Sequence, residues 1–306
     1  MNVLVTGGAG FIGGHLVAAL AEAGDRVTSI DRERIRRPLP PGVEEVTLDL
    51  RDHAALREAV AEAMPAVVYH LAAQASVAIS MREPREDIET NVLATVELAR
   101  AAADAACRRF LFVSSGGALY GSPERLPAKE TTAVAPQSVY GASKAAAELY
   151  LDVVSRQTGL SVSVVRPANV YGPWQDPHGE AGVVAIFAQR MLRGEPVTIF
   201  GDGRQTRDYV YVGDVAAAIR AAAQAETAAT CNVATGRETS TQQIFDALAG
   251  LTGYERQPVY GPERPGDVAR IALDPSHARR AWGWRPSVKL DDGLAETVRW
   301  FRERMA

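Results

Sequence analysis

The sequence predicts an α/β fold: a doubly wound parallel sheet with a smaller, interleaved C-terminal domain. Three observations support this class. Short β-rich segments alternate with helical stretches in the first half of the chain, a glycine-rich turn follows the first β-rich segment, and the alternation ends after Pro167. Strands and helices that alternate at this spacing form right-handed βαβ units, which build a parallel sheet with helices on both faces.

The elements of the first half follow one another regularly. The strand segments are apolar and β-branched, and the helical segments are rich in alanine, a strong helix former. The predicted strands are Val3–Thr6, Arg26–Asp31, Glu44–Leu48, Ala66–Leu71, Phe110–Ser114 and Ser161–Arg166. The predicted helices are Ile12–Ala23, His53–Ala63, Glu89–Ala106 and Tyr140–Gln157.

The second half has a less regular pattern. Segments rich in proline and glycine, at Tyr171–His178 and Pro258–Gly266, predict loops. Between and beyond them we predict the helices Ala181–Leu192, Val215–Gln224, Thr241–Leu251 and Leu290–Arg304, and the strands Val197–Phe200, Tyr209–Val212 and Thr230–Val233. We expect residues 1–170, with a return segment at about 208–235, to form the sheet domain, and residues 171–207 and 236–306 to form the smaller domain.

The composition excludes several classes of protein. Of the 306 residues, 47% are hydrophobic and 23% are charged, and the formal net charge is −4. This is a globular composition, and its charge argues against wholesale binding of nucleic acid or of an anionic membrane. No apolar run reaches the ~18 residues of a membrane span.

Cysteine usage and the N-terminus suggest a compartment. Cys107 and Cys231 are isolated in the sequence, so we expect two reduced thiols, no disulfide and no metal site. The segment Met1–Gly7 lacks the basic start of a signal peptide. We therefore expect a cytoplasmic protein.

The glycine-rich turn predicts a dinucleotide site. Gly7, Gly10 and Gly13 follow the first strand and open the first helix, with Phe11 and Ile12 between them. Such a turn lets the backbone approach a pyrophosphate, which binds at the N-terminus of the helix. The turn, between a strand and a helix, therefore predicts a Rossmann domain.

Asp31 favours NAD as the dinucleotide. A carboxylate at the end of the second strand accepts hydrogen bonds from the ribose 2′-hydroxyl and repels a 2′-phosphate. Two alternatives remain: Asp31 caps the next segment, or nearby arginines hold the 2′-phosphate of NADP. Those arginines are Arg32, Arg34, Arg36 and Arg37. After the third strand, Asp49 and Leu50 are expected beside the adenine, although Asp52 there is equally explained as the N-cap of a helix.

Tyr140 and Lys144 are the candidates for proton transfer. They stand four residues apart at the start of a predicted helix and so share one face. A neighbouring ammonium lowers the pKa of a phenol toward the working pH, and Lys144 would also bind the nicotinamide ribose. By itself this spacing is typical of a surface pair, but together with the glycine turn it indicates a catalytic site.

These motifs resemble the extended short-chain dehydrogenase/reductase family over nearly the whole chain. The matching segments are Gly7–Gly13, Asp31, Asp49–Leu50, His70–Ala73, Asn91–Val92, Ser114–Ser115, Tyr140 with Lys144, Arg166–Pro173, Arg207–Tyr209 and Arg264–Asp267. Within the family, the late motifs are most similar to those of the UDP-sugar 4-epimerases. The resemblance implies tightly bound NAD, a UDP-sugar substrate and a homodimer built on Glu89–Ala106 and Tyr140–Gln157.

The resemblance also assigns further site residues. Leu71, Ala72, Ala73 and Asn91 join the cofactor site. Asn169 and Arg207 would contact the diphosphate and the sugar. Val197 and Ile199 would lie along the uracil, with Val184 in the same site. Arg264 would bind a phosphate, and Asp267 the uridine ribose hydroxyls.

The sequence departs from the family pattern after the fifth strand. The family's catalytic Ser or Thr aligns with Gly116 when counted back from Tyr120–Gly121, and with Ser115 when counted back from Tyr140. We nominate Ser115 as the hydrogen-bond partner of the sugar O4. Gly117 and Ala118 stand where the dehydratase branch carries an acidic pair, so elimination of water lacks its usual donors.

The implied activity is reversible C4 epimerisation of a UDP-hexose through a 4-keto intermediate, with UDP-glucose and UDP-galactose as the favoured pair. The alternatives are another nucleotide-sugar enzyme of this branch, such as a reductase, decarboxylase, or uronate or N-acetyl 4-epimerase, and a silent NAD-binding module. Ile271 is either a wall of the sugar pocket or a core residue. We expect His70, Trp282 and Trp284 to be packing residues.

Overall fold

The computed structural model describes residues 1–178, 182–263 and 268–305. Its strands are β1 (Asn2–Thr6), β2 (Arg26–Asp31), β3 (Val43–Thr47), β4 (Val67–His70), β5 (Arg109–Val113), β6 (Ser161–Pro167), β7 (Asn169–Tyr171), β8 (Thr198–Phe200), β9 (Thr206–Arg207), β10 (Tyr209–Tyr211), β11 (Thr230–Val233), β12 (Thr239–Ser240) and β13 (Val259–Gly261).

The helices surround these strands in chain order. They are α1 (Phe11–Glu22), α2 (His53–Ala63), α3 (Val77–Arg82), α4 (Pro84–Ile88), α5 (Ala94–Asp104), α6 (Gly116–Leu119), α7 (Val139–Thr158), α8 (Val183–Leu192), α9 (Val212–Gln224), α10 (Thr241–Thr252), α11 (Ser276–Trp282) and α12 (Leu290–Met305). A π turn, Glu89–Leu93, joins α4 to α5.

A parallel sheet of seven strands forms the centre of the molecule, in the order β11-β6-β5-β4-β1-β2-β3. The chain runs outward from β1 to β3, returns to β4, and then runs outward in the other direction. The crevice of a doubly wound sheet opens where the strand order reverses, between β1 and β4. The predicted fold class is confirmed, and the first functional elements lie at that crevice.

Alternate residues of the strands supply a hydrophobic core on each face of the sheet. Val3 and Val5 of β1 belong to one buried cluster, which includes Leu16 of α1 and Ile219 of α9. Leu4, between them, belongs to the other cluster, with residues of α2, α5 and α7. This two-sided burial explains why the strand sequences are apolar throughout.

Three two-stranded sheets lie in the second half of the chain: β7 with β10, β8 with β13, and β9 with β12. A third core cluster belongs to this region and includes Phe187 of α8, Phe245 of α10 and Phe301 of α12. Trp282 and Trp284 are buried as expected, but they belong to the cluster of Val3 and Val5 and not to this one. The segment that carries them therefore packs against the central sheet.

The predicted helix Glu89–Ala106 is wrong in its boundaries. Helical structure begins earlier, at Pro84, which stands at the first helical position of α4, where its missing N–H costs nothing. The π turn then interrupts the helix at Glu89–Leu93 before α5.

The short elements α3, α6, α11, β7 and β13 were not predicted because they are too brief to display a period. Among the described helices, none has the length and apolar character to span a membrane.

Candidate active site

The glycine turn brings three parts of the chain into contact at the crevice. Gly7 has a φ of +77°, and a Cβ at this position would lie 2.6 Å from the backbone nitrogen of Ala72. A Cβ on Gly13 would collide with the carbonyl oxygen of Gly7. Only glycine allows this approach, which leaves the N-terminus of α1 open to a pyrophosphate. Phe11 and Ile12 form the first turn of that helix and are half-buried.

Asp31 stands at the end of β2 and faces the same turn. Its Oδ2 accepts a hydrogen bond from the backbone N–H of Ala9 at 3.0 Å, and its Oδ1 accepts one from Glu33 at 3.4 Å. Its carboxylate therefore lies beside the glycine loop, where a ribose diol would bind. Arg36 pairs with Glu33 on the surface, and Arg37 donates to the carbonyl oxygen of Phe11. Both arginines have partners within the protein, which fits NAD better than NADP.

Residues at the adenine side separate into two groups. Asp49 is exposed and forms an ion pair with Arg51, whose hydrogen bond lowers the pKa of Asp49 to about 2. Leu50 is buried in the core of the sheet. Asp52 accepts a hydrogen bond from Ala55, so it is the N-cap of α2.

A buried histidine links the glycine strand to the π turn. His70, at the end of β4, contacts Thr6 Oγ1 through Nδ1 at 2.6 Å and Thr95 Oγ1 through Nε2 at 2.8 Å. Thr95 donates to the carbonyl oxygen of Asn91. Burial lowers the pKa of His70 to about 3, so the ring is neutral. Its expected role in packing is confirmed, and Leu71, Ala72 and Ala73 follow it, half-buried, at the edge of the crevice.

Tyr140 and Lys144 share one face of α7, as predicted. The Lys144 ammonium is buried, donates to the carbonyl oxygen of Val113 at 3.0 Å and lies 4.8 Å above the ring of Phe112. It is 6.0 Å from the centre of the Tyr140 ring. Helix α7 therefore holds both groups against the carboxyl end of β5.

Burial controls the ionisation of this pair. It lowers the pKa of Lys144 to about 8 and raises the pKa of Tyr140 to about 12. In the protein chain alone the pKa of Tyr140 therefore lies above that of a free phenol, because burial disfavours the phenolate, and the predicted lowering by Lys144 stays a prediction. A hydrogen bond from the Ser115 side chain acts in the opposite direction and lowers the pKa of Tyr140.

The structure distinguishes Ser115 from Gly116. The hydroxyl of Ser115, at the start of α6, is close enough to Tyr140 to lower the pKa of its phenol. A Cβ on Gly116 would collide with the Leu273 side chain and lie 3.0 Å from the carbonyl oxygen of Arg166. Position 116 has no room for a side chain, so Ser115 is the hydroxyl available beside Tyr140.

A cavity of about 480 Å³ lies among the small sheets of the second half. This volume is typical of small-molecule sites. Asn169 of β7, Ile199 of β8, Arg207 of β9 and Val184 of α8 line it, as expected for substrate-binding residues. Val197 is not among the described residues that line it, although, like Val184 and Ile199, it is buried in the third core cluster. Its predicted contact with the base stays a prediction.

Asn169 connects this cavity to the catalytic turn. Its Oδ1 lies 3.5 Å from the position that a Cβ on Gly117 would occupy, and Gly117 is two residues from Ser115. The guanidinium of Arg207 is held by the carbonyl oxygens of Thr206 and Val268, at 2.9 and 2.6 Å. Phe200, the last residue of the segment expected along the uracil, also lines the cavity, as do Gln205 and Thr241, which the sequence did not indicate.

Three remaining assignments end differently. Arg264 and Asp267 lie outside the described residues. Ile271 is only 2% exposed and belongs to the core cluster of the central sheet, which supports its interpretation as a core residue. His178 is exposed.

Cys231 has neighbours that its sequence position conceals. Potential ligand atoms of Glu130, Cys231 and His277 lie within 4.8 Å of one another. Burial raises the pKa of the Cys231 thiol to about 12, so the thiol keeps its proton, and Glu130 accepts a hydrogen bond from Asn232. A protonated thiol is a poor metal ligand.

Comparisons with known proteins show the family of the chain. The model of the NAD dependent epimerase/dehydratase family matches residues 3–234. The chain is 45% identical to the UDP-glucose 4-epimerase of Mycolicibacterium smegmatis over 99% of both chains. It is 44% identical, with a TM-score of 0.97 over the whole of both chains, to the UDP-glucose 4-epimerase of Thermotoga maritima solved with UDP-glucose. The UDP-glucose 4-epimerase of Thermus thermophilus in complex with NAD is 44% identical, with a TM-score of 0.92 over 99% of both chains.

Proposed function

Because the chain belongs to the NAD dependent epimerase/dehydratase family, we propose that Tyr140, Lys144 and Ser115 perform its chemistry. The protein is an NAD-dependent isomerase that inverts C4 of a UDP-hexose through a transient 4-keto sugar. The residue roles rest on one observation: Ser115 lies beside Tyr140, and Lys144 bonds to the end of β5 just before Ser115. When bound, NAD supplies the hydride acceptor for C4, and its positive nicotinamide lowers the pKa of nearby acids.

Tyr140 is the proton acceptor in this proposal. As the phenolate, Tyr140 takes the proton of the sugar 4-hydroxyl, and the Ser115 hydroxyl hydrogen-bonds O4 and holds it toward Tyr140. Lys144 keeps a positive charge close to the phenolate and reaches the nicotinamide ribose. The buried setting strengthens each of these electrostatic contacts, because water does not screen them.

The substrate is anchored through its nucleotide and not through its sugar. Arg207 suits a diphosphate, because a guanidinium forms charge-assisted hydrogen bonds to phosphate oxygens. Asn169 joins the diphosphate site to the catalytic turn, and Ile199 and Val184 provide apolar walls for the base. A loosely held hexose can then rotate about its phosphate bonds and present its other face to the hydride.

The direct test is a screen of substrates. UDP-glucose, UDP-galactose, their N-acetyl forms and UDP-uronates are incubated with the enzyme, and NMR detects 4-epimers. The nucleotide released after denaturation identifies the cofactor. We expect interconversion of UDP-glucose and UDP-galactose and release of NAD. Absence of turnover on every UDP-sugar would instead favour a silent NAD-binding module.

We also propose that the enzyme is a homodimer in which α5 and α7 pair with the same helices of a second copy. Large apolar side chains of α7 face solvent: Leu149 is 71% exposed, Tyr150 55% and Val153 46%. Leu93 and Ile88, beside α5, are exposed in the same way. Exposed apolar patches of this kind mark association surfaces.

The dimer is testable by sedimentation at micromolar concentration. Leu149→Glu should shift the protein toward monomer, because it places a charge in the centre of the proposed interface. Leu251→Glu, on the exposed face of α10, is the matched control and should sediment like the wild type. A monomeric wild type would contradict the proposal.

The domain division and the location are parts of the same proposal. We propose residues 1–170 and about 208–235 as the cofactor domain, and residues 171–207 and 236–306 as the substrate domain. Within the second set, the segment with Ile271, Trp282 and Trp284 packs on the central sheet. The free, buried thiols of Cys107 and Cys231 are compatible with a cytoplasmic location.

A further inference from the structure

A buried carboxyl group with no assigned role lies beside the catalytic pair. Asp87 of α4 is completely buried. Its Oδ1 accepts hydrogen bonds from Asn91 Nδ2 at 3.1 Å and from Gln74 Nε2 at 3.2 Å. Its Oδ2 accepts none from the described residues. Burying a carboxylate without a cationic hydrogen-bond partner is costly, so its presence calls for a reason.

The hydrogen bonds of Asp87 lead to the turn that carries Tyr140. Asn91 Nδ2 also donates to the hydroxyl of Ser143 at 3.3 Å, and Ser143 donates to the carbonyl oxygen of Tyr140. Asn91 Oδ1 accepts from the backbone N–H of Gln74. Asn91 Nδ2 also donates to the backbone carbonyl oxygen of Gln74 at 2.9 Å, so the Gln74 backbone and the Asp87 carboxylate accept from the same NH₂ group. The π turn at Glu89–Leu93 places Asn91 in this position.

The charge of Asp87 changes the pKa of both Tyr140 and Lys144. It raises the pKa of Lys144, which burial lowers. It also raises the pKa of Tyr140, which burial raises as well. The other groups around the pair are the neutral His70 on β4, Glu148 further along α7, the Ser115 hydroxyl before α6, and the exposed Arg82 and Glu83 at the end of α3. Of these, Glu148 also raises the pKa of Lys144.

We propose that Asp87 is a positioning residue for the Tyr140–Lys144 pair: its buried carboxylate accepts from the Asn91 amide that bonds to Ser143 of α7, and it keeps a negative charge beside the two groups. The inference rests on the roles proposed above for Tyr140 and Lys144. Asp87 itself needs no contact with substrate or cofactor. It sets the pH range in which the pair works and the orientation of the turn that holds Tyr140.

The test is the pH dependence of kcat and kcat/KM for the NAD-loaded enzyme with Asp87→Asn. This change keeps the shape and removes the charge, so it lowers the pKa of both Tyr140 and Lys144. The acid limb of the profile, where Tyr140 loses its proton, and the alkaline limb, where Lys144 loses its charge, should both move to lower pH by roughly one unit. KM should change little, because Asp87 contacts neither substrate nor cofactor in this proposal.

Controls separate this role from simple structural support. Glu86→Gln makes the same change one residue away on α4, at a side chain that pairs with Arg51, and should leave both limbs in place. Asp87→Glu should return the limbs toward their wild-type positions. Should Asp87→Asn fail to fold, Asp87→Ser removes the same charge in a smaller side chain and should give the same displacement.

Unmoved limbs in a folded, neutral Asp87 variant would overturn the proposal. Tyr140→Phe, measured alongside, separates this outcome from failure of the proposed function. If Tyr140→Phe is inactive while the limbs of Asp87→Asn stay in place, only the role of Asp87 is lost. If Tyr140→Phe keeps wild-type activity, the role of Tyr140 is wrong, and the role of Asp87 that depends on it is overturned as well.

Discussion

The cofactor side and the cavity side of this enzyme assemble their sites in different ways. On the cofactor side, Gly7–Gly13, Asp31 and Leu71–Ala73 each follow a strand of one parallel sheet, so the strand order alone brings them to one edge. On the cavity side, Asn169, Ile199 and Arg207 come from three separate two-stranded sheets. The cofactor side can be predicted from local sequence pattern, whereas the cavity side depends on pairing between short strands that are distant in the sequence.

The catalytic side chains lie at the boundary between these two regions. Ser115 follows β5 of the central sheet, while Asn169, which approaches the same turn, lines the cavity. Helix α7 holds Tyr140 and Lys144 across the end of β5. The boundary therefore needs both kinds of assembly to be correct, which makes it sensitive to changes on either side.

The largest expected effect is at this boundary. Tyr140→Phe removes the proton acceptor and keeps the ring, so kcat should fall on the order of 10²–10⁴-fold. The melting temperature and the NAD content should change little. Tyr150→Phe, which removes the same hydroxyl from an exposed ring on the same helix, is the matched control. Turnover within a few-fold of wild type would exclude Tyr140 from the mechanism.

The second prediction tests whether the two regions respond differently to the same change. Ile271→Ala removes a core side chain of the sheet cluster and should lower the free energy of unfolding by roughly 2–5 kcal/mol. The ratio of activities on UDP-galactose and UDP-N-acetylgalactosamine should stay the same. Ile199→Ala should cost comparable stability, and it should also raise KM because Ile199 lines the cavity.

Urea denaturation and steady-state kinetics of the two variants give these quantities. A selective gain for the N-acetyl sugar in Ile271→Ala would restore the pocket-wall interpretation of that residue. An unchanged KM in Ile199→Ala would remove Ile199 from the substrate site. Either result would weaken the contrast between a sheet core and a cavity wall.

The sequence predicted the parts of the molecule that depend on short-range pattern. The sheet domain follows from strand and helix periodicity, and the glycine turn follows from the need of the backbone to pass close to Ala72 at Gly7. The family resemblance and the NAD dependence are confirmed as well. The roles of individual site residues remain proposals.

What the sequence missed depends on packing. Val197 and Ile199 are two residues apart and both are fully buried in the third core cluster, yet of the two it is Ile199 that is among the described residues lining the cavity. The pKa of Tyr140 could not be predicted from its spacing to Lys144, because it depends on how deeply the ring is buried. Asp87 carries no motif; its burial became evident only once α4 and α7 were placed together.

The smallest expected effect concerns the hydroxyl beside Tyr140. Ser115→Ala removes the hydroxyl that hydrogen-bonds the sugar O4 and lies beside Tyr140, so kcat should fall roughly tenfold. Because the Ser115 hydrogen bond lowers the pKa of Tyr140, its loss raises that pKa, and the acid limb of the pH profile should move to higher pH. This displacement is opposite to the one expected for Asp87→Asn. Ser114→Ala is the matched control, since its buried hydroxyl has no hydrogen-bond partner among the described residues. If Ser115→Ala kept both its rate and its acid limb, the Ser115 hydroxyl would have no part in the reaction, and the sugar O4 would need another hydrogen-bond partner from the cavity side.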